Sequence, residues 1–218
     1  DAWLGRLRAL RDEWESRLSE IARDREAPIH AAAFFVELRK HLPPGVLYSW
    51  DGADFGHWGR AIVPAVEPGG WVRLGPLGTI GSALPNSIGL KLANPDRPVA
   101  LISGDGSLGF YLVEFDTMVR HNLPIVIIVG NDAGWGLERE LQKEFNPGEP
   151  TVGCELRPTR YDLIMKGFGG DGETINTLDE IGPAVRRAFS AGVPYVLNVN
   201  IRGVRSPFTE WQIAGKKR

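Results

Sequence analysis

Residues 99–136 read VALISGDGSLGFYLVEFDTMVRHNLPIVIIVGNDAGWG, and their reading decides the fold. Val99–Ser103 and Ile125–Val129 are short, nearly unbroken apolar runs rich in β-branched residues, the pattern of parallel strands buried on both faces. Between them Leu112, Phe115 and Val119 recur at helical spacing, and Asn122 with Pro124 closes the helix. This is one βαβ unit, with a right-handed crossover expected. Each strand runs into a loop that carries a carboxylate, Asp105 or Asp132. Ligands of open parallel sheets bind outside the carboxyl ends of the strands, so both side chains are expected to face one crevice. The fold class that follows is α/β: an open, doubly wound, mainly parallel sheet with helices on both faces.

The first loop, Gly104-Asp105-Gly106-Ser107-Leu108-Gly109, matches G-x-G-x-x-G, which by itself suggests a Rossmann-type NAD-binding module. Asp105 counts against that reading, because a bare carboxylate between the glycines repels a pyrophosphate unless a divalent cation lies between them. Mg²⁺ is usually held by one or two carboxylates plus phosphate oxygens, and Asp105 with Asp132 supplies that number. Ser107 and the first amides of the following helix are then placed to take the phosphate. An Asp after a strand is often only a helix cap or turn residue. Two such loops, rich in glycine and flanking one crossover, favour the ligand reading.

Here the stretch resembles the thiamine-diphosphate-binding signature of the acetolactate synthase and 2-hydroxyacyl-CoA lyase superfamily. Gly104-Asp105-Gly106 answers to its GDG element, and Gly130-Asn131-Asp132-Ala133-Gly134 to its asparagine-rich loop. The resemblance implies that Asp105, Asp132 and the Gly134 carbonyl bind the metal. It also implies cofactor contacts from Gly104, Gly106, Ser107, Trp135 and Gly136. Asp132 stands where the family commonly has asparagine, and the Gly-Asn-Asp form followed by Trp135 looks closest to the lyase side.

Gly75-Pro76-Leu77-Gly78-Thr79-Ile80-Gly81 resembles the family's second cofactor element. That likeness makes Gly78 the acceptor of the aminopyrimidine N–H and Ile80 the apolar prop of the bent cofactor, with Thr79 between them. Without it, Gly78 and Gly81 would simply let a helix approach the sheet. Trp50–Trp58, read as a polar, glycine-rich loop after a strand at Gly45–Ser49, corresponds to the diphosphate end of the family's site, making Asp54 and His57 candidates for cofactor or substrate contact.

A chain of 218 residues, 43% hydrophobic, can hold one large α/β domain with an appendage. The net charge of −2 gives no reason to expect nucleic acid or an anionic membrane as partner, and no apolar run approaches transmembrane length. One cysteine, Cys154, excludes an internal disulfide and fits a reducing, cytoplasmic setting, where it reads as a passive thiol. The opening at Asp1, without methionine or a targeting pattern, suggests a piece of something longer.

Residues 1–27 read as an amphipathic linker helix or a peripheral helix, with Trp3, Leu4, Leu7, Leu10, Trp14 and Leu18 on one side. The cofactor domain is expected over 28–201, beginning with a helix from Pro28 to Leu42, and 202–218 forms a basic tail. Further helices are expected from Pro85 to about Ala93, over Leu137–Lys143, over Tyr161–Phe168, and over Leu178–Ala191 with Thr177 as N-cap. Glu173–Ile175 reads as a strand, Pro194–Ile201 as a strand at or near the sheet edge, and Phe145–Arg157 as a lid or a surface excursion. The basic tail, with Arg202, Arg205, Lys216, Lys217 and Arg218, would suit the phosphates of CoA or be merely solvated.

The resemblance implies a thiamine-diphosphate- and Mg²⁺-dependent lyase or carboligase acting on a 2-hydroxyacyl-CoA or a 2-oxo acid, with an acetolactate synthase or decarboxylase as the alternative. It further implies a homodimer or homotetramer, and a pyrimidine-binding domain from other sequence or a second subunit.

Overall fold

The structure is a computed structural model that describes residues 2–216. Seven strands form one sheet: β1 (Ile29–His30), β2 (Leu47–Trp50), β3 (Trp71–Arg73), β4 (Val99–Gly104), β5 (Ile125–Asn131), β6 (Asp171–Ile175) and β7 (Tyr195–Arg202). The spatial order is β1-β7-β5-β4-β2-β3, with β6 also paired to β7, and every pairing is parallel. The chain runs outward from β2 to β3, then returns to set β4 on the other side of β2 before continuing to β5. That reversal is the topological switch point where open α/β sheets bind ligands.

Side chains alternate between two apolar cores, one on each face. Tyr48, Trp50, Ala100, Ile102, Val126, Ile128 and Leu197 enter the core shared with α2 (Ala31–Leu38), α3 (Asp54–Ile62) and α9 (Leu178–Ser190). Leu47, Val99, Leu101, Ile125, Ile127, Val129 and Val196 enter the core shared with α4 (Ala83–Ala93), α6 (Glu114–Arg120) and α8 (Tyr161–Phe168). The period of two along each strand distributes the apolar run between both layers.

The crossover between β4 and β5 is broken rather than a single helix: α5 (Asp105–Leu108), a 3₁₀ turn over Gly109–Tyr111, then α6. Phe115 is buried as expected, and Met118 joins it. Three further expectations need correction. Residues 50–58 do not remain a loop, because α3 begins at Asp54. Its glycines allow close packing: a Cβ at Gly59 would run into Trp50 and Phe35, and one at Gly56 into the Asp51 carbonyl. The helix expected from Pro28 to Leu42 is limited to α2, preceded by the two residues of β1.

As expected of a strand near the sheet edge, β7 stands second from it, with only β1 and β6 outside. Its asparagines are satisfied across the sheet, Asn198 by Asn131 and Thr174, and Asn200 by Asn176. Third, the tail is ordered as α10 (Pro207–Lys216), packed on α3 and on α7 (Gly136–Phe145). Arg202 pairs with Asp24 and Glu26, and Arg205 with Glu140 and Glu144, so neither is free for a phosphate. Lys217, Arg218 and Asp1 lie outside the described residues, as does the Lys216 side chain. The N-terminal helix α1 spans Ala2–Ile21, buries Leu18, and leaves Trp3, Leu4, Leu7 and Leu10 exposed. Among the described residues no helix is long and apolar enough to cross a membrane.

Candidate functional site

Asp51, immediately after β2, is buried and accepts hydrogen bonds from the amides of Gly52 (2.7 Å) and Ala83 (3.1 Å), which ties the exit of β2 to the start of α4. Burial raises the Asp51 carboxyl above its usual range, and these amides together with Ser107 oppose the rise. Gly52 has φ +67°, and a Cβ there would collide with the Gly104 backbone. A glycine is therefore required for the loops after β2 and β4 to touch at the switch point.

Asp105 joins the two carboxylate-bearing loops. Its Oδ1 accepts the Gly106 amide at 2.9 Å and its Oδ2 the Gly134 amide at 3.1 Å, while the Tyr161 hydroxyl donates to its carbonyl at 3.3 Å. At the end of β5, Asn131 shapes the second loop: its Nδ2 donates to the Thr159 carbonyl (2.8 Å) and to Asn198 Oδ1 (3.0 Å), and its Oδ1 accepts the Ala133 amide (3.2 Å). Ala133 is left-handed at φ +51°. Its carbonyl accepts the Leu156 amide (2.8 Å), and the Trp135 amide donates to the Cys154 carbonyl (2.7 Å). The 145–157 segment thus folds back against the second loop, with Gly134 bridged to Glu155 and the Cys154 thiol buried. Asp132 is held through Oδ2 by Arg139 Nη2 at 2.7 Å.

One cleft at the carboxyl ends of β2, β4 and β5 is lined by Gly52, Asp54, Phe55, Ile80, Gly104–Ser107, Asp132, Gly134, Trp135 and Gly136. Burial and the neighbouring charge of Asp132 push the Asp105 carboxyl up to about 7. Burial raises Asp132 too, and Arg139 opposes it. Two desolvated carboxylates in one cleft disfavour each other's ionisation, and a cation relieves both effects. Among the described residues no three His, Cys, Asp or Glu side chains converge into a metal cage. A cation here would need further donors from carbonyl, water or ligand oxygens, the mixture that Mg²⁺ accepts.

Of the remaining candidates, Ile80 lines the cleft and is 37% exposed, whereas Gly78 (φ +62°) and Thr79 lie on the exposed loop beside it and do not line it. Asp54 lines the cleft, but its Oδ1 also accepts the Ser206 amide (2.8 Å) and the Thr209 hydroxyl (2.5 Å), which pins α10 to α3. His57 does not line the cleft. It packs against Phe208, and its Nδ1 lies 3.4 Å from the Ser206 hydroxyl. Burial, reinforced by Arg60 and Arg73, pushes the imidazole down to about 3. The native state therefore holds it neutral while the unfolded chain binds its proton below about 6.5, so stability is lost as pH falls from 6.5 through 3. We expect the melting temperature of His57→Gln to decline less steeply than wild type between pH 6.5 and 5; parallel declines would exclude this role. Asn131 and Arg139, which hold the second loop without lining the cleft, were not singled out by the sequence; their only signal was polar side chains close to that loop.

Residues 51–199, which contain both carboxylate loops, match the model of the thiamine pyrophosphate enzyme, C-terminal TPP binding domain. The chain belongs to that family. Acetolactate synthase large subunit IlvG of Mycobacterium tuberculosis is 40% identical over 182 residues, covering 83% of this chain and 33% of that protein. A 2-hydroxyacyl-CoA lyase 2 of Caenorhabditis elegans is 37% identical over 177 residues, covering 80% of this chain and 27% of that one. Among solved structures, the thiamine diphosphate-dependent 4-hydroxybenzoylformate decarboxylase of Rhodococcus jostii superposes with a TM-score of 0.76 at 25% identity, covering 83% of this chain and 34% of the other. The chain thus spans between about a quarter and a third of the length of these relatives. Membership sets aside the NAD-binding reading of Gly104–Gly109 and makes thiamine diphosphate, the same compound as thiamine pyrophosphate, the cofactor of the family domain.

Proposed function

We propose that this domain is the diphosphate-binding part of a Mg²⁺-dependent enzyme that breaks or joins a carbon–carbon bond beside the carbonyl of a 2-hydroxyacyl-CoA or a 2-oxo acid. The observation that carries it is the convergence of Asp105 and Asp132 on one cleft at the switch point. The residues fit the group. Asp105, Asp132 and the Gly134 carbonyl would hold the cation, and Ser107 with the amides around Gly104 and Gly106 would receive the diphosphate. Gly106 closely faces Trp135, where a Cβ would lie 3.0 Å from the indole, so backbone can approach a ligand there but a side chain cannot. Ile80 would prop the bent cofactor, Gly78 would accept the aminopyrimidine N–H beside Thr79, and Asp54, Trp135 and Gly136 would complete the wall.

When bound, thiamine diphosphate supplies the electron sink for the bond change. The chain's residues supply position, charge balance and exclusion of water. The names of the relatives support this class, since synthase, lyase and decarboxylase are variations of one cofactor chemistry. The reading needs a pyrimidine-binding domain from other sequence or another subunit of a homodimer or homotetramer. The exposed apolar residues Leu77, Ile80, Phe110 and Val113 favour such a neighbour.

Calorimetric titration of the full-length protein with thiamine diphosphate should show binding in Mg²⁺ and none after chelation. Binding that chelation leaves unchanged would exclude the metal assignment. With the metal present, 2-hydroxyacyl-CoA thioesters and 2-oxo acids offered separately are expected to yield aldehyde, carbon dioxide or condensation product from one class; turnover of neither would overturn the substrate reading.

A further inference from the structure

Arg139 is a largely buried cation paired with Asp132 at the wall of a cleft whose proposed occupant includes another cation. It lies on α7, where its Nη2 donates to Asp132 Oδ2 at 2.7 Å and its Nη1 lies 3.3 Å from Glu155 Oε2. The Arg139 and Asp132 side chains are only 16% and 11% exposed, whereas Glu155 is 66% exposed, so the desolvated partner is Asp132. The space around the pair is kept by glycines from two separate segments. A Cβ at Gly136 would lie 2.8 Å from Asp132 Oδ2. One at Gly203, just beyond β7, would lie 2.8 Å from the same oxygen and 3.0 Å from Arg139 Nη2, and one at Gly134 would lie 2.6 Å from Arg139 Nη1. Three bare backbone positions therefore enclose one ion pair.

We propose that Arg139 is a positioning residue that holds Asp132 by one oxygen and cancels its charge, so that this carboxylate serves the metal as an amide would. The inference rests on the cofactor reading above. An asparagine at position 132 would need no counter-ion. A carboxylate there adds a second negative charge beside Asp105 and opposite the diphosphate, and the guanidinium removes that excess without occupying the cleft. The other oxygen of Asp132 is left to the cation, and the paired oxygen is fixed by a short charge-assisted bond.

A double-mutant cycle in the full-length protein distinguishes charge cancellation from a merely structural role. The readout is the dissociation constant of thiamine diphosphate in saturating Mg²⁺, measured by calorimetry, with melting temperature as the check on folding. Arg139→Ala is expected to weaken binding at least about tenfold, the usual scale for losing a partner of a metal ligand. The double variant Asp132→Asn with Arg139→Ala is expected to recover most of that loss, because the amide requires no cancellation. Should Arg139→Ala fail to fold, recovery of both folding and binding in the double variant would carry the same conclusion. Binding by Arg139→Ala equal to wild type, or a double variant no better than the single one, would overturn the proposal. Absence of Mg²⁺-supported binding in the wild type would overturn the cofactor reading itself, a result read before any variant is compared.

Discussion

Asp105→Asn is expected to weaken Mg²⁺-supported thiamine diphosphate binding by roughly 100- to 1,000-fold, equivalent to about 3–4 kcal/mol. The substitution is isosteric, so the loss is electrostatic and directional rather than steric. Asp105 offers two acceptor oxygens, one to the Gly106 amide and one to the Gly134 amide. An asparagine presents an oxygen to one and an NH₂ group to the other, setting donor against donor, so the seam between the two loops weakens as the negative charge disappears. The stability of the ligand-free protein should move far less, because removing a buried carboxylate that faces Asp132 also removes a repulsion that helps push Asp105 up to about 7. Calorimetry and thermal melts on the same samples separate the two effects. An unchanged affinity for thiamine diphosphate would show that Asp105 does not contact the metal.

The parts of the fold legible from the sequence are those in which chemistry and periodicity agree. β4 and β5 read as strands because their residues are apolar on both faces, and both faces are covered. The capping box of α9, Thr177 with Glu180, was visible because its geometry is local. α3 was not legible, since Gly52, Gly56 and Gly59 resemble turn punctuation when the neighbours that demand them are unknown. The bulk of Trp50 and Phe35, brought together only by folding, is what makes Gly59 a packing residue. β7 was legible as a strand near the sheet edge from its alternation, but not how its asparagines are satisfied, because Asn131 and Asn176 meet them only on folding.

The site divides along the same line. Asp105 and Asp132 stand at strand ends in glycine-rich loops, and parallel topology alone brings them to one cleft. Arg139 and Gly203 act through proximity that no spacing rule encodes. Asn131, adjacent to Asp132 in the second carboxylate loop, works by reaching Thr159 and Asn198, both distant in sequence. Gly78 and Thr79 were legible only through family resemblance, and they stand on the exposed side of the cleft, where a neighbouring domain would have to complete their surroundings.

Phe35→Ala is expected to destabilise the domain by about 3–5 kcal/mol, near the upper end for a buried aromatic. Phe35 is fully buried and packs against Phe55 at 4.7 Å between ring centroids, Phe34 at 5.2 Å and Trp50 at 6.5 Å. The loss depends on whether neighbours can collapse into the vacated volume. Here α3 already approaches as closely as its glycine backbone permits, and Trp50 is fixed in β2 between two paired strands, so little can move in. Phe55 is the neighbour most able to shift, and it is also part of the cleft wall. It stands directly over Gly130 at the end of β5, where even a methyl group would strike its ring. A displaced Phe55 would therefore disturb the junction between the first turn of α3 and the second carboxylate loop. Denaturant unfolding should show the full loss of stability, and cofactor affinity measured well below the melting temperature should fall with it. A loss below about 1 kcal/mol would mean that the site collapses freely, contrary to the close glycine packing.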